Sequence, residues 1–206
     1  MGGLMAPQGQ PERVPDDGLT TRQRRDRPLL IVHTGTGKGK STAAFGLALR
    51  GWAQGWPVGV FQFVKSAKWR IGEEKALRAL ADTGQGGTVT WHKMGSGWSW
   101  VQRRLELAED PAGAAAEGWA QIARDLAAQT YGLYVLDELT YPLRWGWIDL
   151  DEVLAVLAAR PGHQHVVITG RDAPAALLDA ADLVTEMTKV KHPMDVGQKG
   201  QRGIEW

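Results

Sequence analysis

Leu29-Leu30-Ile31-Val32-His33-Thr34 runs without a break into Gly35-Thr36-Gly37-Lys38-Gly39-Lys40-Ser41-Thr42, and no other stretch narrows the fold of this chain as far. The first part is short, apolar and partly β-branched, which suits a strand buried on both faces. From Lys40 to Gln54, Ala44, Leu47, Ala48 and Trp52 fall on one helical stripe. A buried strand, a glycine-rich turn and a helix in that order open a βαβ unit, which calls for a parallel sheet with right-handed crossovers.

The rest of the chain repeats the alternation. Strand-like runs recur at Val58 to Val64, Thr88 to Met94, Leu133 to Asp137, His165 to Thr169 and, more weakly, Leu183 to Met187. Between them, Leu150 to Arg160 carries Val153, Leu154 and Leu157 on one stripe, opens with Asp149 three residues before Glu152, and stops at Pro161-Gly162. Pro174 suits the first turn of a helix through Leu178. Trp98 to Gly132 reads as helical but interrupted at Asp110-Pro111 and Gly118. The expectation is one α/β domain, residues 28–206, with a mainly parallel central sheet flanked by helices. Residues 1–27 hold few large apolar side chains, so they are expected to form a mobile arm; its basic end, Thr20 to Arg27, reads first as a solvated tail and second as a segment lying over a bound anion.

The glycine turn is where chemistry is expected. Gly35, Gly37 and Gly39 let backbone N–H groups of a loop that also contains Thr36 and Thr42 face inward. Lys38 and Lys40 bring cations to phosphates, and the Ser41 hydroxyl suits Mg²⁺. Against the usual pattern G-x-x-x-x-G-K-[ST], the first glycine falls on Thr34, so the loop begins at Gly35 and is one residue shorter. A second signal is Tyr134-Val135-Leu136-Asp137-Glu138, an apolar strand ending in two acids. In a parallel sheet these acids share the loop's crevice and can hold a metal directly or through water. Arg171, after Thr169-Gly170, is a candidate nucleotide contact for the same reason.

Composition narrows the classes. Lys and Arg number 24 against 23 Asp and Glu, so there is no whole-molecule field to gather nucleic acid or anionic membrane. With no cysteine there is no disulfide framework, thiolate metal site or cysteine nucleophile, and a cytoplasmic protein is expected. No apolar run approaches the ~18 residues of a membrane span. The 10 Trp are expected to be largely core; His33 reads as a core group, His192 as a loop residue bonded to backbone, and Trp145 and Trp147 as packing or a dimer contact.

At this point the chain resembles the ATP:corrinoid adenosyltransferases of cobalamin biosynthesis and salvage. The short loop and the start of its helix, Thr34 to Gly46, match that family's T-G-x-G-K-G-K-[ST]-T-A-A-F-G. Gln62 to Lys65 match Q-F-[IV]-K, and Val135 to Tyr141 match V-L-D-E-L-T-Y. Ala159 to Gln164, Ile168 to Arg171, Val190 to Gly197 and Gln201 to Trp206 follow in the family's order.

The resemblance implies transfer of the 5′-deoxyadenosyl group of ATP to Co(I) of a corrinoid, with triphosphate leaving and Mg²⁺ assisting. The shortened loop would hold ATP in reverse, opening C5′ to attack. An electron donor that reduces Co(II), a homodimer and an arm that covers the site are implied as well. The resemblance also implies a role for Trp98 and Trp100 in displacing the lower axial ligand of cobalt. The residues by themselves leave open a phosphoryl-transfer enzyme, an ATPase or small-molecule kinase using Glu138 to orient its nucleophile, and a nucleotide-binding module without turnover. A GTPase is disfavoured because N-K-x-D is absent.

Overall fold

A computed structural model describes residues 17–64, 71–94 and 110–205. Its elements in chain order are α1 (Thr21–Arg25), β1 (Leu30–Thr34), α2 (Lys40–Ala53), β2 (Val58–Gln62), α3 (Gly72–Ala81), β3 (Val89–Lys93) and α4 (Pro111–Ala127). There follow β4 (Leu133–Asp137), α5 (Thr140–Arg144), α6 (Leu150–Ala159), β5 (His165–Thr169), α7 (Ala175–Ala180) and β6 (Leu183–Glu186), then a 3₁₀ turn at Pro193–Val196. All six expected strands form, none extending beyond its expected ends. They make one sheet in the order β3-β2-β4-β5-β1-β6, with every neighbouring pair parallel.

The alternation of side chains along the strands sorts the core into two layers. Leu30, Val32, Phe61, Tyr134, Leu136, Val166 and Ile168 pack under α4, α6 and α7 through Trp119, Ile122, Leu126, Val153, Leu157 and Leu177. Ile31, Val58, Val60, Trp91, Leu133, Val135 and Val167 face α2 and α3 through Ala44, Phe45, Ala48, Trp52 and Leu77. Burial on both faces explains why the inner strands are continuous apolar runs. Fully burying one side chain such as Ile122 contributes roughly 1.5–3 kcal/mol. β6 closes one edge with all four residues exposed, which is why its pattern in the sequence is weak.

Asp110-Pro111 starts α4, in keeping with a break in the helical pattern there: the Asp110 carboxylate accepts the Gly113 N–H at 2.8 Å, and Pro111 occupies the first turn, where its missing N–H costs nothing. Gly118, by contrast, does not break α4; it is buried where a side chain would meet Met94. At α6 the Asp149 carboxylate caps the Glu152 N–H at 2.8 Å as expected. The Glu152 carboxylate, instead of reaching back to the cap, accepts from the Trp119 indole. In the arm, α1 is a short turn closed by a Thr20–Gln23 capping box, and none of its residues is buried. Among the described residues no helix is long and apolar enough to cross a membrane.

The topology decides what meets at the carboxyl ends of the strands. β5 lies between β1 and β4, so the glycine loop and the acid pair are two strand spacings apart, about 10 Å. The end of β5, Thr169-Gly170-Arg171, lies between them.

Candidate active site

Loop 35–39 is shaped by what it packs against. Gly35 and Gly39 have φ of +94° and +112°, values that a β-carbon disfavours. At Gly35 and Gly37 a β-carbon would come within 2.6 and 2.7 Å of the Met187 carbonyl oxygen, just beyond β6. The Gly37 N–H donates to that carbonyl, and the Lys189 N–H donates to the Thr36 hydroxyl at 3.3 Å. The loop is therefore braced from outside by residues 187–189, a contact between chain segments 150 residues apart that no local pattern announces.

Lys40, the first residue of α2, is buried, and its ammonium donates to the carbonyls of Gly35 at 2.8 Å and Gly37 at 2.6 Å. Burial lowers its pKa from the usual lysine value; the negative charge of Glu138 works against that, while Arg171 and Lys38 add to it. Burial, and then the charge of Arg171, lowers the pKa of Lys38 as well. The structure thus brings Lys38, Lys40 and Arg171 together as three mutually repelling cations, an arrangement that favours a polyanion. Lys38 already has one internal anion, the carboxylate of Glu205. Ser41 is half-buried in the first turn of α2, and Thr42 beside it is exposed.

At the end of β4, Asp137 is completely buried. It accepts from Gln62 Nε2 and from the Thr169 hydroxyl, both at 2.8 Å. Glu138 is half-buried and takes φ of +64°, a left-handed turn held by its N–H donating to Thr169 Oγ1 at 3.0 Å. Gly170 lies so close to the Thr140 hydroxyl that no β-carbon fits, and that hydroxyl donates to the Arg171 carbonyl at 2.9 Å. The Arg171 side chain is exposed and forms no ion pair among the described residues. Burial, with Glu138 next, pushes the Tyr141 phenol up to about 12.

The donor set of Ser41, Asp137 and Glu138 is all oxygen, which fits Mg²⁺. No three His, Cys, Asp or Glu among the described residues form a self-sufficient metal cage. A cation here would share its coordination with phosphate or water.

The other expected residues divide. His33 is a buried core group whose Nδ1 lies 3.3 Å from the Lys40 carbonyl. His192 accepts the Met194 N–H at 3.1 Å and starts the 3₁₀ turn. Trp145 and Trp147 pack on each other at 4.5 Å. Trp98 and Trp100 lie outside the described residues. Gln62, Thr169, Met187 and Glu205 touch the site and were not expected there. Gln62, Thr169 and Glu205 fall inside stretches that resemble the family's motifs, and Gln62 and Thr169 end otherwise apolar strands, but neither signal says what these side chains touch.

An open parallel sheet with a glycine-rich strand-to-helix turn, and with cations and carboxylates at its carboxyl ends, defines the α/β class in which ligands bind in that crevice. Residues 26–206 match the family model of ATP:corrinoid adenosyltransferase BtuR/CobO/CobP. The chain is 43% identical over 192 residues to a corrinoid adenosyltransferase of Pseudomonas aeruginosa, covering 92% of this chain and 89% of that one. It is 40% identical over 201 residues to the corrinoid adenosyltransferase CobA of Salmonella typhimurium, covering 97% of each. With that of Escherichia coli K12 it shares 38% identity over 191 residues, 92% of this chain and 91% of the other. The chain belongs to the ATP:corrinoid adenosyltransferase family.

Proposed function

We propose that this protein transfers the 5′-deoxyadenosyl group of ATP to Co(I) of a corrinoid and releases triphosphate, a step in making adenosylcobalamin. The carrying observation is that one family match runs from residue 26 to 206 and so includes both the shortened loop and the acids of β4.

In this reading the loop amides other than that of Gly37, which is taken by the Met187 carbonyl, hold the triphosphate together with Lys38, Lys40 and Arg171. Co(I) attacks C5′ with its electron pair, the C5′–O5′ bond breaks, and the pair of that bond leaves on the triphosphate while cobalt is formally oxidised to Co(III). The protein supplies no nucleophile. It positions ATP with C5′ open, neutralises charge on the leaving group and keeps water from the cobalt. Mg²⁺, held through Ser41, Glu138 and Asp137, would supply further charge neutralisation at the triphosphate. Trp98 and Trp100 are proposed to displace the lower axial ligand, which makes Co(II) easier to reduce by an external electron donor. A homodimer in the cytoplasm completes the reading, the second in keeping with a chain that has no cysteine.

The test is the fate of ATP incubated with chemically generated Co(I) corrinoid. Inorganic triphosphate together with adenosylated corrinoid supports the proposal. ADP as the product would support a phosphoryl-transfer enzyme, and intact ATP a binding module.

A further inference from the structure

A row of buried polar side chains crosses the sheet on the face covered by α2. The Trp91 indole N–H donates to Gln62 Oε1 at 2.8 Å, Gln62 Nε2 donates to Asp137 Oδ2 at 2.8 Å, and the Thr169 hydroxyl donates to Asp137 Oδ1 at 2.8 Å. These residues come from β3, β2, β4 and β5, which are successive neighbours in the sheet. Gln62, Asp137 and Thr169 have no exposed surface, and Trp91 is buried as well. The Trp91 ring also lies 5.2 Å from that of Phe45 on α2, the helix that begins with Lys40.

An amide buried in this way lowers stability unless both of its ends are bonded, and a leucine of similar size would pack here without that demand. The row has a direction as well. An indole N–H can only donate, so it holds the oxygen of the Gln62 amide toward β3 and its NH₂ toward Asp137. Flipping the amide would set N–H against N–H and oxygen against carboxylate. Trp91 therefore decides which atom Asp137 meets, while Thr169 secures the other carboxylate oxygen.

We propose that Gln62, oriented by Trp91, is a positioning residue for Asp137, locking the carboxylate through which the chain engages the divalent cation of its nucleotide. This rests on the assignment of Asp137 to the metal, and it ties that acid mechanically to β3.

Calorimetric titration with ATP, in chelator and at saturating Mg²⁺, tests it without turnover. In Gln62→Leu, ATP affinity in chelator should match the wild type, and the gain in affinity conferred by Mg²⁺ should shrink about tenfold, as expected when a partner of a metal-binding carboxylate is lost. Trp91→Phe should shrink the gain by a smaller factor in the same direction, and the double variant should do no more than Gln62→Leu, because both act on one row. A full Mg²⁺ gain in folded Gln62→Leu overturns the proposal even if its melting temperature falls. Should that variant not fold, a full gain in Trp91→Phe overturns it equally. Asp137→Asn separates the two layers of the argument: if it keeps the full gain, the metal assignment has failed, and if it loses the gain while Gln62→Leu keeps it, only the positioning role has failed.

Discussion

The Lys40 ammonium is buried, donates to two carbonyls of its own loop and is flanked by Lys38 and Arg171, where the triphosphate is proposed to bind. Lys40→Ala should cut ATP-dependent corrinoid adenosylation about 100-fold or more, the range for losing a main charge-stabilising donor. Circular dichroism should show an unchanged fold, and near-normal turnover in the folded variant would contradict the assignment. Glu138→Gln keeps size and removes charge, so its defect should be larger at limiting than at saturating Mg²⁺. A defect insensitive to Mg²⁺ would remove Glu138 from the metal site. Lys40 and Glu138 were legible because spacing alone marked them. The roles of Gln62 and Thr169 were not, although both lie in motif stretches, because a polar residue at a strand end gains its partner only from the neighbour across the ladder.

Among the elements, β2 shows how packing overrides local propensity. Gly59 sits inside this strand, where glycine is normally a weakness. A β-carbon there would come within 2.6 Å of the Tyr131 ring and 2.9 Å of Phe61. Gly59→Ala should therefore destabilise the protein by about 1–3 kcal/mol, the usual cost of overpacking, despite its better strand propensity. Urea unfolding measures this, and a variant as stable as the wild type would show that Tyr131 yields without cost. In α4 the same logic runs the other way: Gly118 looked like a breaker, yet it supplies the close approach to Met94 that a larger residue would block.

For the whole molecule, three imidazoles set a pH dependence. Burial lowers the pKa of His33, His92 and His165 below the ordinary 6.5. Just below that pH the unfolded chain binds protons that the folded chain refuses, so stability falls as pH falls. The urea midpoint should decrease between about pH 7.5 and about pH 5.5. His165→Asn, which keeps an acceptor for the Leu29 N–H, should show a shallower decrease, and an unchanged slope would exclude His165 as a contributor. The arm makes the other whole-molecule prediction. Deleting residues 1–27 should impair corrinoid turnover more than ATP binding, since α1 contributes no buried residue to the core and is free to act as a cover. Unchanged kinetics after truncation would leave it a tail.

By itself the amino-acid sequence determined the six strands, the parallel class, the glycine–lysine loop, the acid pair and the family, because each is written in contiguous residues as apolar runs, turn residues and short motifs. The tertiary structure alone decided that β5 intervenes between the loop and the acids, that residues 187–189 and Glu205 reach back to the loop, and that Trp91, Gln62, Asp137 and Thr169 form one hydrogen-bonded row. The physical reason is common to all three. Strand order and long-range contacts follow from how whole apolar faces are buried against one another, and a local pattern states which face is apolar without stating which partner covers it.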